Sequence, residues 1–168
     1  MKMQWRTAWQ GQDIVVFRDD QIVDRIPARD IVRVVFVYRG AGQNPGDPAF
    51  AVVELADEHV IFPAETGFSG RVHFERQAFW STRRCVYWVS DRKASLPSRL
   101  RPGLWFIRRT RATFVRLPRC ELAPLLAEWP LEGPLTWEER KERRIEMSRP
   151  FADLGAAALP YNVKQRRA

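Results

Sequence analysis

The chain is poor in the residues that build staples and metal centres. Of its 168 residues only two are cysteines and two are histidines. Cys85 and Cys120 stand alone, with neither a CxxC spacing nor a histidine cluster beside them, so metal-ligand spacing is absent. Two reduced thiols are expected, and no metal or other cofactor. A Gly-rich phosphate loop, an HExxH pair and a nucleophile elbow are missing too. Catalysis therefore has no positive sign, and the chain is expected not to be an enzyme; an unrecognised enzyme using the 59–88 region is the alternative. No run approaches the ~18 apolar residues of a membrane span. The first residues, MKMQWRTAWQGQD, lack an apolar core of signal-peptide length, so a cytoplasmic location is expected. There is no internal repeat and no long low-complexity segment.

What is present suits one soluble domain. Hydrophobic residues make up 45% and charged residues 29%, enough to bury a core without staples. The net charge is +8. Basic proteins attract nucleic acid, anionic membranes and acidic proteins, and charge alone does not choose among them. Arginine greatly outnumbers lysine, which suits bidentate contacts to carboxylate or phosphate, although a GC-rich genome gives the same bias.

Strand patterns dominate. DIVVFRD (13–19) and QIVDRI (21–26) flank a tight Asp19-Asp20 corner and read as a hairpin. DIVRVVFVYRG (30–40) is rich in valine and reads as a central strand. AGQNPGDP (41–48) is a loop, and AFAVVELADEHVIFPA (49–64) is two strands turning at Asp57-Glu58. His59, beside Asp57 and Glu58, reads as part of a solvated turn. Ser69 is placed to cap a helix over 70–80, with Val72, Arg76, Phe79 and Trp80 along one side. CVYWVS (85–90) is strand-like. A cysteine–histidine pair can activate a nucleophile, but His73 and Glu75 point to different sides of that helix, and Cys85 sits in an apolar run where a thiol is inert. Phe79, Trp80 and Trp88 are therefore expected to be structural, and His73 and Cys85 not catalytic.

After the polar loop 91–103, LWFIRR (104–109) and ATFVRL (112–117) read as a hairpin. CELAPLLAEW (120–129) is a short helix with a stripe of Leu122, Leu125, Leu126 and Trp129. LTWEERKERRIEM (135–147) is a second, opened by a Thr136/Glu139 capping box, with a thin apolar stripe of Trp137 and Ile145. Residues 1–147 are expected to form a single globular domain, and 148–168 a partly ordered basic tail.

The charge pattern is the most informative feature. From Arg92 to Arg119 there are nine basic residues and no acid, against a whole-chain net of +8. In a hairpin, period two puts Phe106 and Arg108 on one face, which Phe114 and Arg116 share given a compatible register. Arg101, Phe106, Arg108, Arg109, Arg111, Phe114, Arg116 and Arg119 are the candidate binding residues. Such a face suits an acidic protein, an anionic lipid or single-stranded nucleic acid. The plain alternative is a solvated strand pair whose arginine stems cover apolar surface. Reversing Arg108, Arg111 and Arg116 to glutamate is expected to leave the fold intact and to lose the partner or sharply reduce its on-rate. Seven tryptophans are mostly expected in the core, with some of Trp5, Trp9, Trp129 and Trp137 free to anchor a partner.

Runs of strands with few helices indicate α+β with a mainly antiparallel sheet. The order QIVDRIPARDIVRVVFV…AFAVVELADEHVIFPA, followed by ELAPLLAEW as a closing helix, resembles bacterial pleckstrin-homology-like domains over residues 13–129. The resemblance implies a curved sheet or partly closed barrel, with one inserted helix and C-terminal helices, and it implies binding rather than catalysis. The expected function is a non-catalytic bacterial binding protein whose arginine-rich face meets an acidic protein partner, with an immunity-type protein as one version. A nucleic-acid or anionic-lipid binding module is the other class.

Overall fold

The computed structural model describes residues 5–40, 48–63, 80, 82–97, 100 and 115–147. These fall into two compact units, one ending at Thr136 and one beginning at Trp137. The first holds eight described strands: β1 (Trp5–Gln10), β2 (Asp13–Arg18), β3 (Gln21–Pro27), β4 (Arg33–Tyr38), β5 (Pro48–Glu54), β6 (Glu58–Pro63), β7 (Val86–Ser90) and β8 (Val115–Pro118). It ends with helix α1 (Arg119–Glu128). The second unit contributes helix α2 (Trp137–Met147), which starts directly after Thr136 and places the Arg140 guanidinium 5.9 Å from the centre of the Trp137 ring.

The protein is α+β, as the strand-rich sequence implies, but its strands make two sheets and neither closes into a barrel. One has the order β1-β2-β3 and the other β7-β4-β5-β6-β8. The break between them is local chemistry. Pro27 cannot donate to a further ladder, and a 3-10 turn at Ala28–Asp30 redirects the chain before β4. The first sheet is an up-and-down meander. Its β2–β3 hairpin turns on Asp19 and Asp20, both at positive φ (49° and 65°), a conformation that aspartate tolerates better than most residues. β1 lies outside the sequence expectations. All pairs in the second sheet are antiparallel except β4 with β7. A parallel pair needs a long crossover, and the crossover runs through 64–85. The helix expected over 70–80 lies in that stretch, outside the described residues except for Trp80.

Both faces of the five-stranded sheet are covered. On one face Val35, Val37, Phe50, Val52, Ile61 and Leu117 meet Leu122, Leu126 and Trp129 of α1 and its C-terminal edge. That is the stripe expected from sequence. On the other face Phe36 packs against Trp88, with ring centroids 4.8 Å apart. Trp80 and Trp88 are fully buried, as expected, and Trp80 meets Trp9 edge-on at 5.4 Å. Trp129 is buried as well.

The free edge of β7 is protected. Trp88 and Glu132 exchange two backbone hydrogen bonds of 2.8 Å, and the Leu135 amide donates to the Val86 carbonyl at 3.0 Å. This close approach requires Gly133. Its φ is 129°, and a Cβ there would sit 2.8 Å from the Val86 carbonyl oxygen.

Candidate functional site

Two groups of charged side chains stand at the end of the second sheet near α1. The first lies on the face that α1 covers. Register aligns Arg33, Glu54, His59 and Leu117 across β4, β5, β6 and β8, so this row closes the apolar core. Glu54 is its centre and is 4% exposed. Its Oε2 accepts from Arg33 Nε at 2.7 Å and lies 2.6 Å from Arg33 Nη2. Its Oε1 lies 2.8 Å from Arg119 Nη2. Arg119 also donates from Nη1 to the Ala56 carbonyl (3.1 Å) and from its backbone amide to the Asp57 carbonyl (2.9 Å). The first residue of α1 is thus fastened to the β5–β6 turn.

His59 belongs to this row and not to a solvated turn. The turn lies earlier, where the Leu55 amide donates to the Glu58 carbonyl. Position 59 is already strand, on the same inward face as Ile61. The side chain is fully buried and neither ring nitrogen has a hydrogen-bond partner among the described residues. Burial pushes its pKa below 6.5; the Glu54 charge opposes that shift, and Arg119 and Arg33 reinforce it. Neutral imidazole is the form that folds. The unfolded chain therefore binds more protons in the window between the folded pKa and 6.5. Stability is full above about 6.5 and declines as pH falls through that window. Thermal midpoints taken from about pH 7.5 to about pH 5 are expected to fall on the acid side, and His59→Leu is expected to flatten that decline. An equal decline in the variant would remove His59 as its source.

The second group lies on the opposite face. Arg116 of β8 donates from Nε and Nη2 to Asp24 of β3 (2.7 and 3.1 Å) and from Nη1 to Glu58 of β6. The hydrogen bonds that Arg116 donates to Asp24, with the charges of Asp24 and Glu58, raise its pKa and keep it charged. This fork spans the opening between the two sheets where a closed barrel would have ladder bonds. It bears on two expected binding residues. Arg116 and Arg119 are both engaged by carboxylates of the protein itself. Reversing Arg116 would set three carboxylates together, so that substitution tests the fold and not a partner. Arg101, Phe106, Arg108, Arg109, Arg111 and Phe114 lie outside the described residues, as does His73.

Cys85 is buried, and burial raises its thiol pKa, which disfavours the reactive thiolate. Cys120 is exposed, and both thiols are free. Among the described residues no group of three or more His, Cys, Asp or Glu side chains is placed to hold a metal, and no helix is long and apolar enough to cross a membrane.

The described start of the basic segment behaves differently from its end. Arg92 and Lys93 are exposed in the turn that follows β7, with no acidic partner among the described residues. They belong to the basic span but not to the expected binding residues, and Arg39, which stands at the adjacent end of β4, belongs to neither. The signal for Arg39 was present only in the parallel pairing of Tyr38 with Ser90, which no local pattern announces. Comparison of the chain with protein-family models, with curated proteins and with solved structures returns no significant match.

Proposed function

We propose that the protein is a non-catalytic binding protein that meets an acidic protein partner through its basic segment 92–119, an immunity-type role being the version that best fits a small chain of this kind. The observation that carries this reading is the acid-free run of nine cations. Arg116 and Arg119 are taken up by Asp24, Glu58 and Glu54, whereas Arg92 and Lys93 are exposed with no acidic partner among the described residues. The likeness of element order to pleckstrin-homology-like domains points the same way, although fold alone names no ligand. The buried, unreactive state of Cys85 and the enclosed neutral state of His59 favour binding over catalysis.

The test spares the two structural arginines. Arg108, Arg109 and Arg111 are reversed to glutamate, and wild type and variant are used as bait in extracts of the source cells. The expected outcome is an acidic protein retained by wild type and lost from the variant, with capture weakening as salt rises. Equal capture by both proteins contradicts the reading. Retention of nucleic acid, with affinity falling steeply in salt, or retention of anionic lipid would replace it with the other class of ligand.

A further inference from the structure

We infer that the end of the second sheet formed by Arg39, Arg92 and Lys93 is a preformed part of the surface that receives an acidic protein. This rests on the reading above and adds residues to it.

Most described cations of the first unit have a partner within the protein. Arg6 reaches Asp20 and lies over Phe17; Arg18 lies over Trp5. Arg25 pairs with Asp13, Arg29 with Asp30, and Arg33 with Glu54. Arg83 donates to the Ala28 carbonyl and Arg84 to the Pro134 carbonyl. Arg116 and Arg119 are bound as described. Only Arg39, Arg92 and Lys93 are left without such a partner among the described residues, and all three are exposed.

They are also neighbours. β4 and β7 run parallel, so both strands finish at the same end of the sheet. The two exits are laced together. The Asp91 amide donates to the Tyr38 carbonyl (2.8 Å), Ser90 Oγ donates to the Gly40 carbonyl (3.0 Å), and the Gly40 amide donates to Asp91 Oδ1 (3.2 Å). The Arg92 amide donates to Ser90 Oγ and the Lys93 amide to the Ser90 carbonyl. Gly40 takes a φ of 58° to make this turn. The backbone under the three cations is therefore fixed before any partner arrives, which lowers the ordering entropy that binding must overcome. Asp91 stands among them, so the local net charge is +2, with its Oδ1 directed at the Gly40 amide.

The chemistry favours carboxylates on a protein. Taken by themselves these three cations are fewer than the ~6–10 phosphate contacts usual along a nucleic-acid backbone or the ~4–8 basic residues of a membrane-binding cluster, so either ligand would need the further cations of the basic segment. Base stacking needs an open aromatic face, and the exposed large apolar side chains among the described residues are Ile22, Val23, Val32 and Ile145. Arginine forks matched to Asp and Glu side chains need neither feature.

The probe is poly-L-glutamate, titrated at low and moderate salt against wild type, against R39E/R92E/K93E and its neutral counterpart R39Q/R92Q/K93Q, and against R108E/R109E/R111E. Oligothymidylate and phosphatidylglycerol vesicles are run in parallel, and circular dichroism checks that each variant is folded. Binding of wild type to poly-L-glutamate is expected, weakened about tenfold or more by the R39E set, about 1.4 kcal/mol per decade, and less by the glutamine set. If the R39E set binds like wild type while R108E/R109E/R111E does not, this surface is wrong and the basic segment stands. If wild type does not bind the polyanion, or if all the variants bind it equally, both readings fall. Tighter binding of oligothymidylate or vesicles, lost in the R39E set, overturns the acidic-protein assignment.

Discussion

Trp88→Ala is expected to destabilise the protein by about 3–5 kcal/mol, the range for truncating a large buried aromatic. Three connections converge on this residue. Its ring is 1% exposed and packs on Phe36 of the neighbouring strand. Its indole N–H donates to the Leu135 carbonyl at 3.3 Å. Its backbone pairs with Glu132 and so holds the segment that shields the β7 edge. The alanine variant keeps the backbone pairing but loses the ring contact and the anchor to Leu135. Since a domain of this kind has ~5–15 kcal/mol of stability in all, its thermal midpoint is expected to drop far below that of wild type. Trp88→Phe retains most of the packing and loses one hydrogen bond, so a loss nearer 1–2 kcal/mol is expected, roughly the worth of that bond plus the missing ring atoms. Denaturant unfolding of the two variants separates these figures. An alanine variant as stable as wild type would show that Trp88 is not part of the core.

Glu54→Ala is expected to cost about 2–3 kcal/mol. Removing one partner of a fully buried ion pair costs ~3–5 kcal/mol because the remaining charge is stranded. Here the carboxylate is 6% exposed, whereas the Arg33 and Arg119 side chains are 29% and 49% exposed, so water relieves both guanidinium groups in part. The substitution also removes the one negative charge that favours a proton on His59. Two cations then face that ring across the sheet, so its pKa is expected to fall further and it stays neutral to lower pH. A double-mutant cycle between Glu54 and Arg33 is expected to give a coupling of about 1–2 kcal/mol. A coupling near zero would mean that the carboxylate is held by packing alone.

These side chains also mark where the sequence was legible and where it was not. Strand positions came through because local pattern and structure agree. The Asp19-Asp20 corner flanked by apolar runs gives β2 and β3, the valine run gives β4, and the Leu122/Leu126/Trp129 stripe gives the covering helix. β1 escaped notice because Trp5, Thr7 and Trp9 alternate with Arg6 and Ala8 in a way that shows no β-branched run; pairing along the whole of β2 makes it a strand. His59 faces inward because the strand already begins at Glu58, and a one-residue change in where a strand starts flips a side chain to the opposite face. Arg116 was counted with a binding face because its partner Asp24 lies 92 residues away in sequence. Ion pairs over such distances carry no periodic signature. The same holds for Arg39, which meets Arg92 and Lys93 only through the parallel ladder. Local chemistry thus set most of the elements, whereas the assignment of arginines to structural or to open positions required the tertiary fold.

In the proposed function, an acidic protein docks on the basic segment and on the sheet end formed by Arg39, Arg92 and Lys93. Amide hydrogen exchange in the presence and absence of saturating poly-L-glutamate tests it most directly. Slowed exchange concentrated in residues 92–119 and at Arg39 and Gly40, with the β1–β3 sheet unchanged, is the expected result. Protection confined to other surfaces, or no change anywhere at a concentration where binding is measured, would contradict it.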